Sequence, residues 1–428
     1  MDRLPLLEWN PWWEKKDSIL DFQGKPRQRY FDLIHSLDVR EVTIITGVRR
    51  SGKSTLMYQM IALLLERGVL PEQLFFVNFE DKRLQSFSLD QIYTWYRENM
   101  NPEKKAFVFL DEIHTHSGWE SWIRTQYDLK SPCKFVISGS SSYLLRKEYS
   151  TLLTGRNLTF EVFPLSFSEY LDFKNISYDK VKLRKGLIGE RTKHQILYCL
   201  KEFITLGGFP EIFFQKEEYK TKLLAQYFDD IVYKDIVDRY NLTSQKVKDL
   251  ALYLATNLTG LVSLRNLRNS LGLSYDTSKD YLGYFQEAFL FFVVDHFSYS
   301  LQEQKTLPSK VYCIDNGLRN AVSLHFSKDE GKLVENMVFL ELKRRGKVVY
   351  YWKNKGEVDF MVKGTPLLAL NVSYADAVNE RELRALQECK EKWGKNQKLV
   401  LLTRDLEKKE KGIHYIPLWK WLLQEDNL

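Results

Sequence analysis

The sequence predicts an α/β fold in which a parallel sheet is doubly wound by helices, and three observations predict it. Apolar runs of strand length alternate with amphipathic segments from residue 42 to residue 163. The runs are almost continuously apolar, as in Phe107-Val108-Phe109-Leu110, which suits strands buried on both faces. Finally, Gly47-Val48-Arg49-Arg50-Ser51-Gly52-Lys53-Ser54 joins the first strand to the first helix and reads as a phosphate-binding loop.

Each part of that loop has a physical task. Gly47 and Gly52 let the backbone take positive φ and approach phosphate closely. The amides of Val48 to Ser51, and of the helix start through Thr55, then point at the anion. Lys53 would neutralise the β and γ phosphates, and Ser54 would ligate Mg2+, which takes hard oxygen donors. Arg49 and Arg50 lie inside the loop, within reach of phosphate or of acidic neighbours. The strand running in and the amphipathic segment running out separate this pattern from a bare glycine turn.

Taken in order, the chain begins with an arm, residues 1–35, carrying Trp9, Trp12 and Trp13 and expected to pack on the next domain. Residues 36–170 are expected to form the phosphate-loop core: strand 42–46, helix 53–67, strand 74–79, helix 90–100, strand 106–110, helix 119–129, strand 134–138, helix 141–153 and strand 158–163. Residues 171–245 read as a helical lid, broken at Leu206-Gly207-Gly208-Phe209-Pro210. Three short helices and two strands over 246–315 have the outline of a winged helix-turn-helix. Residues 316–428 give a further α/β domain with a mixed sheet.

Composition sets the outer limits. With 428 residues the chain has room for about three domains at roughly 150 residues each. The four cysteines are far apart and make no paired metal spacing, which fits a reduced, cytoplasmic setting. The longest apolar run, 288–294, is too short to cross a bilayer, so no membrane partner is expected. A net charge of +7 permits a nucleic-acid partner without requiring one.

Downstream of the loop, the strand Phe107 to Leu110 ends in Asp111-Glu112. Asp111 would hold Mg2+ through water, and Glu112 would polarise the water that attacks the γ phosphate. Ser138 and Ser140 end the strand Phe135-Val136-Ile137, where a hydroxyl could sense the γ phosphate. Arg156 follows Gly155, where it is either an arginine finger acting on a neighbouring subunit or a surface residue after a helix-terminal glycine. His114 and His116 stand beside the acidic strand end and are expected to contact solvent or nucleotide, with no metal assigned to them.

These residues resemble a family. The phosphate loop, Leu110-Asp111-Glu112-Ile113, Ser138-Gly139-Ser140-Ser141, Leu153-Thr154-Gly155-Arg156, the stretch 163–167 and Gly207-Gly208-Phe209-Pro210-Glu211 are similar to a large group of bacterial and archaeal AAA-type ATPases. Members carry a C-terminal domain of uncharacterised function. The resemblance spans nearly the whole chain and implies ATP binding with hydrolysis, and a restriction-endonuclease-like last domain after the winged helix. It also points to Glu335 and Glu357-Val358-Asp359 as metal-holding positions of that domain. The next strand departs from the pattern: Asn371 stands where a glutamate is usual and Ser373 where a lysine is usual. A serine cannot supply the lysine's charge, so the domain is expected to lack nuclease activity, with Glu335 and Asp359 as remnants or weak metal ligands.

The presumed recognition helix of the winged domain has Lys279 between Asp276 and Asp280, with Arg265 and Arg268 on the helix before it. That is sparse for phosphate contact, so a packing role is favoured over direct duplex binding. The expectation is therefore an ATP- and Mg2+-dependent ATPase whose nucleotide state rearranges the lid and C-terminal domains. The alternatives are a slow ATP-dependent switch and an ATP-controlled nuclease. A protein partner, and an oligomer in which Arg156 acts across subunits, are compatible with that expectation.

Overall fold

Five strands build the first sheet: β1 (Val42–Thr46), β2 (Leu74–Asn78), β3 (Ala106–Asp111), β4 (Cys133–Gly139) and β5 (Asn157–Glu161). The structure, a computed structural model, describes residues 4–27, 30–101, 103–140, 155–323, 330–394 and 396–424. The strand order is β2-β3-β4-β1-β5 and every neighbouring pair is parallel. Helices α1 (Leu4–Trp9), α2 (Phe31–His35), α3 (Lys53–Glu66), α4 (Leu89–Asn99) and α5 (Trp119–Asp128) accompany it. The expected helix 141–153 lies outside the described residues.

The double winding shows in how one strand divides its side chains. On β3, Val108 and Leu110 enter a core with Ile92, Trp119 and Ile123, while Phe107 and Phe109 enter another with Met57, Ile61 and Leu65. Both faces are therefore buried, and each large apolar side chain contributes about 1.5–3 kcal/mol. The N-terminal arm packs on β2, the edge strand. Asn10 donates to the Phe76 carbonyl and accepts from its amide, at 2.8 and 2.7 Å, and Trp12 and Trp13 donate to the Leu74 carbonyl at 3.2 and 2.9 Å. Side chains thus occupy backbone groups that an open edge would leave for another strand.

The chain parts into two compact units, Met1–Val162 and Phe163–Leu428. The second unit begins with helices α6 (Phe167–Phe173), α7 (Lys180–Arg184), α8 (Glu190–Leu206), α9 (Pro210–Phe213) and α10 (Glu217–Asp230), the last running into a π-helical stretch, Ile231–Asp238. The break between α8 and α9 is held by Asp315, which accepts from the Gly208 amide at 2.7 Å. A Cβ at Gly207, where φ is +73°, would lie 2.1 Å from Asp315 Oδ1.

Next come α11 (Ser244–Thr256), β6 (Leu261–Val262), α12 (Leu264–Leu271), α13 (Tyr275–Glu287), β7 (Phe291–Val294), α14 (Leu301–Thr306) and β8 (Ser309–Cys313). Their strands form an antiparallel sheet in the order β6-β8-β7. The C-terminal part holds α15 (Asn316–Val322), α16 (Glu330–Arg344), β9 (Val349–Lys353), β10 (Glu357–Val362), β11 (Leu367–Ser373), α17 (Glu380–Trp393), β12 (Gln397–Thr403), β13 (Lys408–Glu410), β14 (Ile413–Pro417) and α18 (Leu418–Leu423). Its sheet is mixed, as expected, with the order β13-β14-β12-β11-β10-β9. The sequence reading lacks β13, β14 and α15. Strand β13 consists of exposed charged residues, which suit an edge but carry no apolar period.

Candidate nucleotide-binding site

The loop after β1 folds as its glycines require. Gly47 has φ +148° and Gly52 φ +96°, and a Cβ at Gly47 would meet the Val162 carbonyl oxygen at 2.1 Å. Gly52 caps α3, whose first turn contains no acidic residue, so its free amides keep their positive end for an anion. Lys53 is buried and donates to the Gly47 and Val48 carbonyls at 3.1 and 3.2 Å. The hydroxyl of Ser51 is buried and has no hydrogen-bond partner among the described residues.

Because β4 lies between β1 and β3, its end separates the loop from the acidic pair. Ser138 uses that position: its hydroxyl donates to Asp111 Oδ1 and accepts from the Glu112 amide, the latter at 3.0 Å. Ser54 Oγ donates to Asp111 Oδ2 at 2.7 Å, and Asn78 Nδ2 approaches the same oxygen at 3.3 Å. Glu112 takes a left-handed backbone, φ +52°. Its carboxylate lies 3.5 Å from Lys53 Nζ, accepts from the Ser140 amide at 3.0 Å and stands 3.3 Å from His114 Nδ1.

The two neighbouring carboxyls are driven apart electrostatically. Burial, with the charge of Glu112 added, pushes Asp111 up to about 6. Burial also pushes Glu112 upward, but Lys53, His114 and Arg49 outweigh it and hold that carboxyl below its ordinary range. Glu112 is thus ionised in the environment of a proton acceptor.

The donor set fits a nucleoside triphosphate with Mg2+. An ammonium and helix-start amides face the same loop as the Ser54 hydroxyl and the Asp111 carboxylate, and the Gly47 backbone sits where no side chain can enter. Thr55 lies in the first turn of α3. Arg49 pairs with Glu80 at 2.7 Å, and Arg50 has φ +65°.

Arg156, His114 and His116 each have partners within the first unit. Arg156 precedes β5, whose start pairs with the start of β1, so it sits at the sheet end opposite the loop, 3.1 Å from Asp128 Oδ1. His116 is spent on the carbonyls of Ser117 and Phe87, at 3.1 and 3.0 Å, and His114 on Glu112. The sequence reading also missed Arg27. This buried arm residue donates to the Ser51 carbonyl at 2.8 Å and tethers the loop from outside.

In the second unit, Glu335 and Asp359 do come together, but around an ammonium. Lys310 Nζ lies 2.9 Å from Glu335, 2.7 Å from Glu357 and 3.3 Å from Asp359. The positive charge that Ser373 cannot give is therefore present after all, from β8. Asn371 Oδ1 accepts from the Asp359 amide at 2.9 Å, and its Nδ2 donates to Glu382 at 2.7 Å. Among the described residues no group of three or more His, Cys, Asp or Glu side chains is arranged to hold a metal ion. No helix among them is long and apolar enough to cross a membrane.

A family model described as an AAA domain matches residues 39–171. Two domains of unknown function, DUF8612 and DUF4143, match residues 199–329 and 330–421. An uncharacterized protein of Methanocaldococcus jannaschii is 35% identical over 416 residues, covering 92% of this chain and 90% of the relative. The chain belongs to a family of proteins in which an AAA domain is followed by two domains of unknown function. A second relative of this AAA-domain protein, an uncharacterized protein of Haemophilus influenzae, is 30% identical over 411 residues, 93% of this chain and 98% of its own. Among solved structures, the ORC1 protein of Aeropyrum pernix in complex with DNA is 14% identical, covers 73% of this chain and 96% of its own, and has a TM-score of 0.30. That likeness is too distant to bear on function.

Proposed function

We propose that the chain hydrolyses ATP with Mg2+ and uses its nucleotide state to rearrange the second unit. Lys53 and the amides from Val48 to Thr55 hold the phosphates, and Ser54 and Asp111 hold the metal side of the nucleotide. When bound, Mg2+ neutralises charge on the β and γ phosphates. Glu112 accepts the proton of the attacking water, and Ser138 and the Ser140 amide keep the two carboxylates apart and oriented. The observation that carries this reading is the joining of Ser54 to Asp111 at 2.7 Å beside Lys53 and Glu112 at 3.5 Å. Titration calorimetry with ATP and Mg2+ tests it. Heat is expected from the wild type and a markedly weaker isotherm from Lys53→Ala, and no heat from folded wild type overturns it.

A second reading, a slow switch, is favoured by one feature. Glu112 is held by Lys53, His114 and the Ser140 amide together, so the proton acceptor must leave several partners before it can work. A basal phosphate release that rises steeply on adding a partner would select the switch.

For the second unit, the run from α11 to β8 is read as a winged helix used for packing, and the C-terminal sheet with α16 and α17 as restriction-endonuclease-like without cleavage. Lys279 between Asp276 and Asp280 supports the first, and the engagement of Glu335 and Asp359 by Lys310 supports the second. Nicking of plasmid in Mn2+ that Asp359→Ala abolishes would overturn the latter. A mobility shift at nanomolar protein with a steep salt slope would overturn the former.

A further inference from the structure

The ATPase site leaves unexplained a second concentration of charge, in the second unit. Lys310 projects from β8 with a side chain 1% exposed, and each of its three ammonium protons has a carboxylate to meet. The carboxylates come from two other elements, Glu335 on α16 and Glu357 and Asp359 on β10. The surroundings fix the rest. Tyr312, two residues along β8, donates to the same Glu335 oxygen at 2.8 Å. The second Asp359 oxygen accepts from the Val372 amide at 3.0 Å, and Lys353 lies 3.2 Å from the second Glu357 oxygen.

Carboxylate oxygens are the donor type that a hard divalent cation takes, but with the ammonium between them these three are not arranged to hold a metal ion themselves. We propose that Lys310 is the resident cation of this centre: its ammonium takes the place of a metal, closes the centre to divalent ions and clamps β8 to α16 and β10. Two observations carry this. The ammonium lies deeper than the acids, 1% exposed against 14% for Glu335 and Asp359 and 22% for Glu357, so it faces the carboxylates and not an anion arriving from solvent. Lys353 then supplies a second positive charge at the rim, so the two lysines together match the charge of a divalent ion. Neither buried partner is stable without the other, because an unpaired charge in such a place is expelled by its desolvation cost. The inference is independent of whether the first unit turns over ATP.

The test uses the nucleotide-free full-length chain, with Mn2+ uptake followed by electron paramagnetic resonance and unfolding followed by melting temperature. Wild type and Asp359→Asn are expected to take up equal Mn2+, since any ion near Ser54 and Asp111 is common to both. Lys310→Ala is expected to melt roughly 10 °C lower. It should recover much of that loss in about 1 mM Mn2+, with one further ion bound per chain that Lys310→Ala/Asp359→Asn does not bind. If Lys310→Ala does not fold, Lys310→Met combined with Glu357→Gln and Asp359→Asn should fold, because only one of the three acids, Glu335, then remains, and Tyr312 still donates to it. The proposal is overturned if Asp359→Asn removes an Mn2+ ion from the wild type. It is equally overturned if Lys310→Ala melts like wild type and gains no ion, or if the charge-depleted triple variant also fails to fold.

Discussion

Lys53 Nζ lies 3.5 Å from Glu112 Oε1, with both side chains buried. The group proposed to grip phosphate and the group proposed to activate water are therefore each other's counter-ions. Lys53→Met removes both partnerships at once. ATP affinity is expected to fall roughly 10- to 100-fold by calorimetry at fixed Mg2+. Stability should fall too, and Lys53→Met/Glu112→Gln should melt higher than Lys53→Met alone, because the second change removes the stranded charge.

Gly47 is fixed by space as well as by its dihedral angle. Its missing Cβ would stand 2.1 Å from the Val162 carbonyl oxygen, a backbone atom that cannot swing aside. Gly47→Ala is expected to cost about 1–3 kcal/mol and to displace the loop from β5. Chemical denaturation should show the lower midpoint, and ATP titration should show weakened binding in the same sample.

Asn10 closes the edge of the first sheet through both backbone groups of Phe76. Asn10→Leu keeps the volume but leaves a buried N–H and C=O unpaired, at a cost of about 1–3 kcal/mol. Urea unfolding should give a lower midpoint at an unchanged slope. An unchanged midpoint would show that the arm adds nothing to the edge.

Asp315 predicts a pH dependence of defined sign. Burial pushes its carboxyl up to about 6 from a reference of 3.8, against the amides of Gly208, Leu318 and Gly317 that favour the ionised form. Between those values the folded state binds the proton more tightly than the unfolded state. The group's stabilising contribution is therefore complete below about pH 4 and lost as pH rises through about 6. The melting temperature of wild type minus that of Asp315→Asn should increase as pH is lowered from 7 to about 4. A difference that is flat or reversed contradicts the assignment.

The first sheet was legible because its strands carry their own address. Val42 to Thr46 and Ala106 to Leu110 are apolar on both faces and bounded by loops with turn residues, so tertiary packing had little left to decide. The phosphate loop and its acidic partner were legible for a related reason: each function needs residues adjacent in sequence. Ser138 was visible only as a hydroxyl at a strand end, and the insertion of β4 between β1 and β3 is what aims it at Asp111. The Lys310 centre was not legible, since its members come from three separate elements and no spacing rule links β8 to α16 and β10. Arg27 was hidden likewise, in an arm without periodicity. Strand β13 escaped because Lys408-Lys409-Glu410 looks like a solvated loop until β14 pairs with it.

The central claim is that Glu112 accepts a proton from water at a triphosphate held by Lys53 and Ser54. Steady-state phosphate release from ATP and Mg2+, compared between wild type and Glu112→Gln at matched ATP occupancy, tests it most directly. The account predicts continuous release by the wild type and a fall of roughly 100-fold or more in the variant, with ATP binding retained. Equal rates in the two proteins, or no ATP bound by either, would contradict it.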